Sequence, residues 1–579
     1  MQMKKFLLLL IMFLPLQPLY ALERVGDFAL LDHKGDFHQI GRYDHRQAVV
    51  LLSEGANCSS FNGALTQFNI VNAKYSDSFE FMLLNSTGVQ DRSVVQAQAA
   101  SYGVSLPLLM DESQLVPELL GVDNIGEVVV VDPNRFEVLY RGSVANLDRA
   151  LGQISSGAAV SNADSAVPDC SINYAAKELH DRVPISYSAD IAPMLEENCA
   201  NCHREKGIGP FAMDSHLMIQ GWAPMIKEVL MTKRMPPGQI DPHIGNVKVQ
   251  RHLSAENIQK LVHWIDAGAA RDSQADPLAA IDWPDTKWPL GEPDVLVKIP
   301  PQEVPATGVM QYIWVDSGYA TDRDRWVKGA DLIPGDRSVV HHILARAIPP
   351  GAAGPKIGIC PTPCEQGQGD RSLSMEERGI SLPAYIPGNN ARFLDENTGQ
   401  FVPAGSRMVF QMHYTTSGRA TVDASEFGLY FYEDGFEPTE KIDSGGVLAN
   451  DFLIPPNDGD FEVVRTRTIP KDAYVISFYP HMHLRGKRMK WTAEYPDGRT
   501  EKLLSVPNYD FNWQMTYELE QPKFIPAGTK IIVEGAFDNS TMNPNNPDPT
   551  ASITWGDQSY EEMFIGNMAI KYAGGEAFD

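Results

Sequence analysis

Three textures of hydrophobic patterning follow one another along the chain. From residue 23 to about residue 150, short β-branched or apolar runs (residues 48–52 and 127–132) alternate with helix-like stretches (residues 94–102 and 115–120). Such runs predict buried strands, of the kind parallel sheets use, joined by helices. Residues 152 to 168 are rich in Ser, Ala, Gly and Asn without apolar periodicity and predict a linker. The stretch from 171 to 275 closes with an amphipathic helix. Ser254 can cap it, Ile258, Leu261, Val262 and Ile265 form its stripe, and Gly268 can end it. From about residue 285 onward Pro and Gly recur between short alternating strands such as residues 408–414 and 474–478, which predicts two β-sandwiches.

A chain of 579 residues has ample material for several cores. Its 74 acidic residues against 48 basic ones give a formal net charge of -26, which argues against nucleic acid or an anionic membrane surface as a partner. Lys4 and Lys5 precede an apolar run over residues 6–16, and Leu19-Tyr20-Ala21 offers a cleavage site. That layout predicts a secretory signal peptide over residues 1–21 and a periplasmic or secreted protein. No later segment approaches the ~18 apolar residues of a membrane span, so no stable insertion is expected.

The predicted domains are 22–152 (α/β), 153–170 (linker), 171–275 (all-α), and two all-β sandwiches, 286–438 and 439–579. The opening Val25-Gly26-Asp27-Phe28 and the late run Val129-Val130-Val131-Asp132 resemble the thioredoxin-like redoxin family. That resemblance implies a reactive cysteine after the first central strand, commonly in a Cys-x-x-Cys pair. Here Cys58 is followed by Ser59, Ser60 and Phe61, and Ile125-Gly126 stands where the family usually has a cis-proline. A redox-inert, structural role is expected. Cys58 and Cys170 are left as a possible disulfide, and Cys360 and Cys364 are expected to pair locally.

Cys199-Ala200-Asn201-Cys202-His203 is a c-type haem attachment motif: two thioether bonds on one turn, then the proximal imidazole. For the sixth ligand Met235 is the candidate among several methionines, because Arg234-Met235-Pro236-Pro237-Gly238 resembles the axial-methionine loop of small periplasmic cytochromes c. His/Met ligation implies an electron carrier.

After His263 the chain contains five histidines only: His341-His342, His413 in Gln411-Met412-His413-Tyr414, and His481-Met482-His483. Neutral imidazole is the commonest metal ligand. In a strand His481 and His483 would share a face, whereas adjacent His341 and His342 can serve one ion only at a bulge or strand end, or through rearranged rotamers. With Met563 these motifs resemble, in order, the type II copper, ascorbate-dependent monooxygenases, the family of dopamine β-monooxygenase and peptidylglycine α-hydroxylating monooxygenase. The resemblance implies tandem jelly-roll-like sandwiches and two copper ions. His341, His342 and His413 would hold the electron-transfer copper, with Gln411 beside it. His481, His483 and Met563 would hold the oxygen-activating copper, and a thioether favours Cu(I) there. It further implies hydroxylation of an organic substrate by O2, with electrons from an ascorbate-like reductant or a periplasmic redox protein.

Tyr479 and Asn567 stand where the peptide-amidating branch holds a substrate carboxylate, so a small organic substrate is expected instead. A non-catalytic haem/copper electron-transfer or copper-binding protein is the alternative expectation, and the same ligands would accept zinc.

Overall fold

The computed structural model describes residues 23–574 apart from 56–57, 90, 161–169, 206, 250, 284–286, 360–378 and 389–390. The expected signal peptide and the expected Cys360–Cys364 pair lie outside the described residues.

The first part is built on seven strands: β1 (Ala29–Asp32), β2 (Phe37–Gln39), β3 (Ala48–Glu54), β4 (Phe79–Asn85), β5 (Leu108–Met110), β6 (Glu127–Val131) and β7 (Val138–Ser143). Their order is β2-β1-β5-β4-β3-β6-β7. Helices α1 (Phe61–Tyr75), α2 (Arg92–Ser101), α3 (Leu115–Leu119) and α4 (Leu147–Ser155) complete an α/β domain. Strands β3 and β6 are buried along their whole length, because separate apolar cores cover the two faces of the sheet. The run that becomes β6 suggested a parallel strand, but β6 pairs antiparallel with β3. An unbroken apolar run reports burial on both faces, not direction. The expected linker also begins later than residue 152, since α4 continues to Ser155 with Leu147, Ala150 and Leu151 buried.

Among the described residues between 171 and 281 every regular element is helical: α5 (Ala175–Arg182), α6 (Ala192–Leu195) between two π-helical turns, α7 (His216–Met231) and α8 (Ala255–Asp266), followed by a short 3-10 turn. Ser254 Oγ accepts the Asn257 N–H at 3.2 Å and so caps α8. The apolar stripe of α8 serves two cores. Leu261 packs with Tyr187 and Leu195, while Val262 joins the core beneath the seven-stranded sheet. A buried ion pair, Arg92–Asp241 at 2.5 Å, also ties α2 to this segment.

The rest of the described chain is β structure. One sheet runs Gly358–Ile359, Ile313–Ala320, Arg407–Tyr414, Val340–Ile348, Ile380–Tyr385 and faces a sheet containing Arg325–Ile333 and Glu426–Phe431 across a shared core. A second pair follows: Phe564–Tyr572, Ala473–His481 and Tyr517–Ile525 in one sheet, and Phe461–Thr468, Lys530–Phe537, Gly486–Glu494 and Thr500–Val506 in the other. Among the described residues no helix is long and apolar enough to cross a membrane.

Candidate metal centre

His342 and His413 face each other across the ladder between strands Val340–Ile348 and Arg407–Tyr414. The register slips between Val340 and His342, and this irregularity lets adjacent His341 turn its ring beside that of His342, with centroids 4.2 Å apart. One ring nitrogen from each of His341, His342 and His413 lies within 4.8 Å of the others, and all three residues are buried. Each ring keeps one buried nitrogen without a hydrogen-bond partner: Nε2 of His341, Nε2 of His342 and Nδ1 of His413. A buried polar atom left unpaired is costly, so three converging on one point suit a cation.

The remaining nitrogens orient the rings. His413 Nε2 donates to Gln411 Oε1 at 3.0 Å, as residues two apart on a strand allow, and His341 donates to the Phe511 carbonyl. Tyr312 lies flat on His413, with ring centroids 3.4 Å apart.

The second histidine set comes from the other sandwich. His481 ends strand Ala473–His481, so His483 lies beyond the strand and does not share its pleat, contrary to expectation. The two rings nevertheless meet, 5.2 Å apart and nearly perpendicular. Nδ1 of His481 donates to Gln514 Oε1 at 2.5 Å, and Nδ1 of His483 donates to the Glu561 carbonyl at 3.2 Å, which leaves both Nε2 atoms as donors for a metal. The backbone N–H of His483 goes to Glu562 Oε2 (2.9 Å) and that of Arg485 to Glu562 Oε1 (2.6 Å). Glu562 has no exposure and immediately precedes Met563, so it fixes the histidine turn to the segment carrying the thioether.

Burial holds all five imidazoles below their ordinary value of 6.5. His341 and His481 fall to about 4, His483 to about 3, and His342 and His413 fall well below. All five are therefore neutral, the form that ligates, at physiological pH.

The two sets adjoin each other. Phe511 stacks on His341 at 4.5 Å and meets His483 edge-on at 6.0 Å. Its carbonyl accepts from both His341 and Gln514 Nε2, and Gln514 in turn accepts from His481. A continuous hydrogen-bonded path thus joins one histidine set to the other. Gln558, 1 % exposed, accepts the Tyr312 N–H at 3.4 Å and keeps its own Nε2 without a partner. Phe511, Gln514, Gln558 and Tyr312 lie in loops and carry no motif, so sequence reasoning passed over them.

Tyr479 and Asn567, the two departures noted in the sequence, are direct cross-strand partners. Tyr479 leans over His481 and points its hydroxyl at Gln514 Oε1, 3.4 Å away. A peptide carboxylate would find neither cation nor guanidinium at this pair.

In the helical segment Cys199 and Cys202 are free thiols, and burial pushes Cys199 up to about 12, so it is no thiolate nucleophile. The His203 N–H bonds back to the Cys199 carbonyl at 2.9 Å. Its ring Nδ1 donates to the Phe211 carbonyl at 3.1 Å, which leaves Nε2 with its lone pair. A Cβ on Gly209 would fall 2.6 Å from that Nδ1, so glycine is required there. Met235 is half-buried in a loop whose Gly238, in the left-handed region at φ +69°, lies against Met515. These groups suit covalent haem with an imidazole on iron. A cavity of about 640 Å3 lies elsewhere, between the α/β domain, the helical segment and the last sandwich, and is lined by Asp111, Lys233, His243, His252 and Asn508.

No family model matches the chain. Among solved structures it is similar to a hypothetical protein of Sinorhizobium meliloti 1021 (20% identity, 27% of this chain and 95% of that one, TM-score 0.24). It is also similar to the exposed lipoprotein thioredoxin of Streptococcus pneumoniae (16%, 23% and 99%, TM-score 0.20) and to a thiol:disulfide interchange protein from a Bacteroides species (14%, 24% and 92%, TM-score 0.21).

Proposed function

We propose that the chain is an exported copper-dependent monooxygenase that hydroxylates a C–H bond of a small organic substrate with O2 and receives electrons through a covalent c-type haem in its helical, cytochrome c-like segment. The observation that carries this reading is the pair of adjoining, neutral histidine sets, one in each sandwich, with four of the five rings oriented by a fixed acceptor and three of them with orphaned nitrogens. His341, His342 and His413 would hold one copper, and His481, His483 and Met563 the other. Copper bound there supplies one-electron redox chemistry and activation of O2.

The chain's own residues do the rest. Gln411, Gln514 and the carbonyls of Phe511 and Glu561 each take one ring N–H and so fix which nitrogen faces the metal. Glu562 anchors the His483 turn beside Met563. Tyr479 and Asn567, without positive charge, favour a substrate lacking a carboxylate. Residues 511–517 link the loop carrying Met235 to the histidine sets. At one end lie Phe511 and Gln514. At the other, Tyr517 donates to the Gly238 carbonyl at 3.1 Å, on the Met235 loop, and Met515 packs on Gly238.

Oxygen consumption coupled to a hydroxylated product tests the reading. In Met563→Ala, turnover should fall at least a hundredfold while the His341/His342/His413 set keeps its metal. Full turnover in that variant, or metal bound without any oxygen chemistry, would point to a non-catalytic electron-transfer or copper-holding protein.

A further inference from the structure

We propose that the Cys58–Cys170 disulfide is a thiol–disulfide exchange site, a latch that holds residues 170–172 in the crevice of the thioredoxin-like domain until a protein dithiol opens it. In an open α/β sheet the functional crevice lies outside the carboxyl ends of the parallel strands, where neighbouring connections diverge. Here that point falls between β3, whose connections run outward through β4 and β5, and β6. Cys58 follows β3 and enters α1.

The crevice is filled by the chain itself. The Ile125 N–H donates to the Cys170 carbonyl and the Ile172 N–H to the Asp123 carbonyl, both at 2.9 Å, and Ser171 bridges Asn124 antiparallel. Cys170 completes this docked strand covalently, with Cα atoms 5.9 Å apart across the disulfide. The missing Cys-x-x-Cys partner is thereby replaced from 112 residues away.

The two sulfurs are unequal. Cys58 is 7% exposed, whereas Cys170 is only partly buried and is the more open of the two to an outside thiolate. Attack there breaks the S–S bond and expels Cys58 as a thiolate at the amino end of the 15-residue α1, where the helix dipole favours it. Ser60 Oγ lies 3.1 Å from Cys58 Sγ and 3.7 Å from Cys170 Sγ, placed to donate to the departing sulfur. The donor's second thiol then resolves its mixed disulfide with Cys170. The donor leaves oxidised, and Cys58 and Cys170 have gained two electrons and two protons. Four residues before Cys58, Glu54 is fully buried with Oε1 unpartnered. Burial pushes its carboxyl to about 7, so it can exchange a proton near neutrality.

Full-length protein equilibrated in graded mixtures of reduced and oxidised dithiothreitol, then alkylated and mapped by peptide mass spectrometry, tests the latch. Cys58 and Cys170 should become alkylated together in folded protein, with amide exchange at Ile125 and Ile172 rising at least tenfold and the sandwiches unaffected. A pair that stays oxidised until the whole chain unfolds, or reduction that leaves those two amides protected, overturns the proposal. In Cys170→Ser, Cys58 should react with Ellman's reagent at least tenfold faster than the thiols of unfolded protein. An inert Cys58 there equally overturns it.

Discussion

Glu562 shows how much of the candidate centre depends on a residue that binds no metal. It takes two backbone N–H groups from the turn carrying His483 and lies next to Met563. Alanine there would leave both N–H groups buried and unpaired, at about 1–3 kcal/mol each. Glu562→Ala should therefore lose roughly 2–6 kcal/mol in urea unfolding. It should also shed metal from the His481/His483 set while the other set stays filled. Unchanged copper content would contradict this role. The five candidate histidines were legible in the sequence because histidine is so sparse after His263. Glu562 was not, since a single acidic residue before a methionine carries no pattern and acquires its role only when strand Phe564–Tyr572 lies beside strand Ala473–His481.

At the scale of elements, the irregularities of strands position the donors. The slip in register at His341 brings adjacent imidazoles together, and the end of a strand frees His483 to turn away from the pleat. Sequence reasoning anticipated a bulge or strand end for the adjacent pair, but periodicity alone could not show that His483 leaves its strand. Packing these ring-bearing strand ends inside the protein fixes the response to acid. Above pH 6.5 the rings are neutral in both the folded and unfolded chains. As pH falls through 6.5, the unfolded chain takes up protons that the folded chain refuses, until the folded rings begin to titrate near 4 (His341, His481) and 3 (His483). Metal-free protein should thus lose stability between pH 6.5 and about 4, by up to about 1.4 kcal/mol per pH unit for each ring. Urea midpoints measured at pH 7 and pH 5.5 check this. Equal midpoints would mean that the rings are solvated.

Across the whole molecule, three portions that the sequence separates by texture are joined through a few buried contacts. The division into α/β, helical and β portions was readable from periodicity, because each portion buries its apolar residues with its own period. How the portions meet was not readable, since the joining residues come from loops and single helix positions. Arg92 and Asp241 illustrate this: 149 residues apart, they form an ion pair in which Asp241 has no exposure. Arg92→Ala would strand that carboxylate and should cost about 3–5 kcal/mol. A loss below ~1 kcal/mol would show that Asp241 is hydrated in solution. The convergence of residues 511–517 on both histidine sets and on the Met235 loop is likewise a product of tertiary packing.

The central claim, that two histidine sets hold two coppers beside a haem, is tested most directly by metal and haem content per chain in the full-length protein and in His413→Ala. The account predicts two coppers and one haem in the first and one copper with one haem in the second. Zinc in place of copper, or a copper content that His413→Ala leaves unchanged, would contradict it.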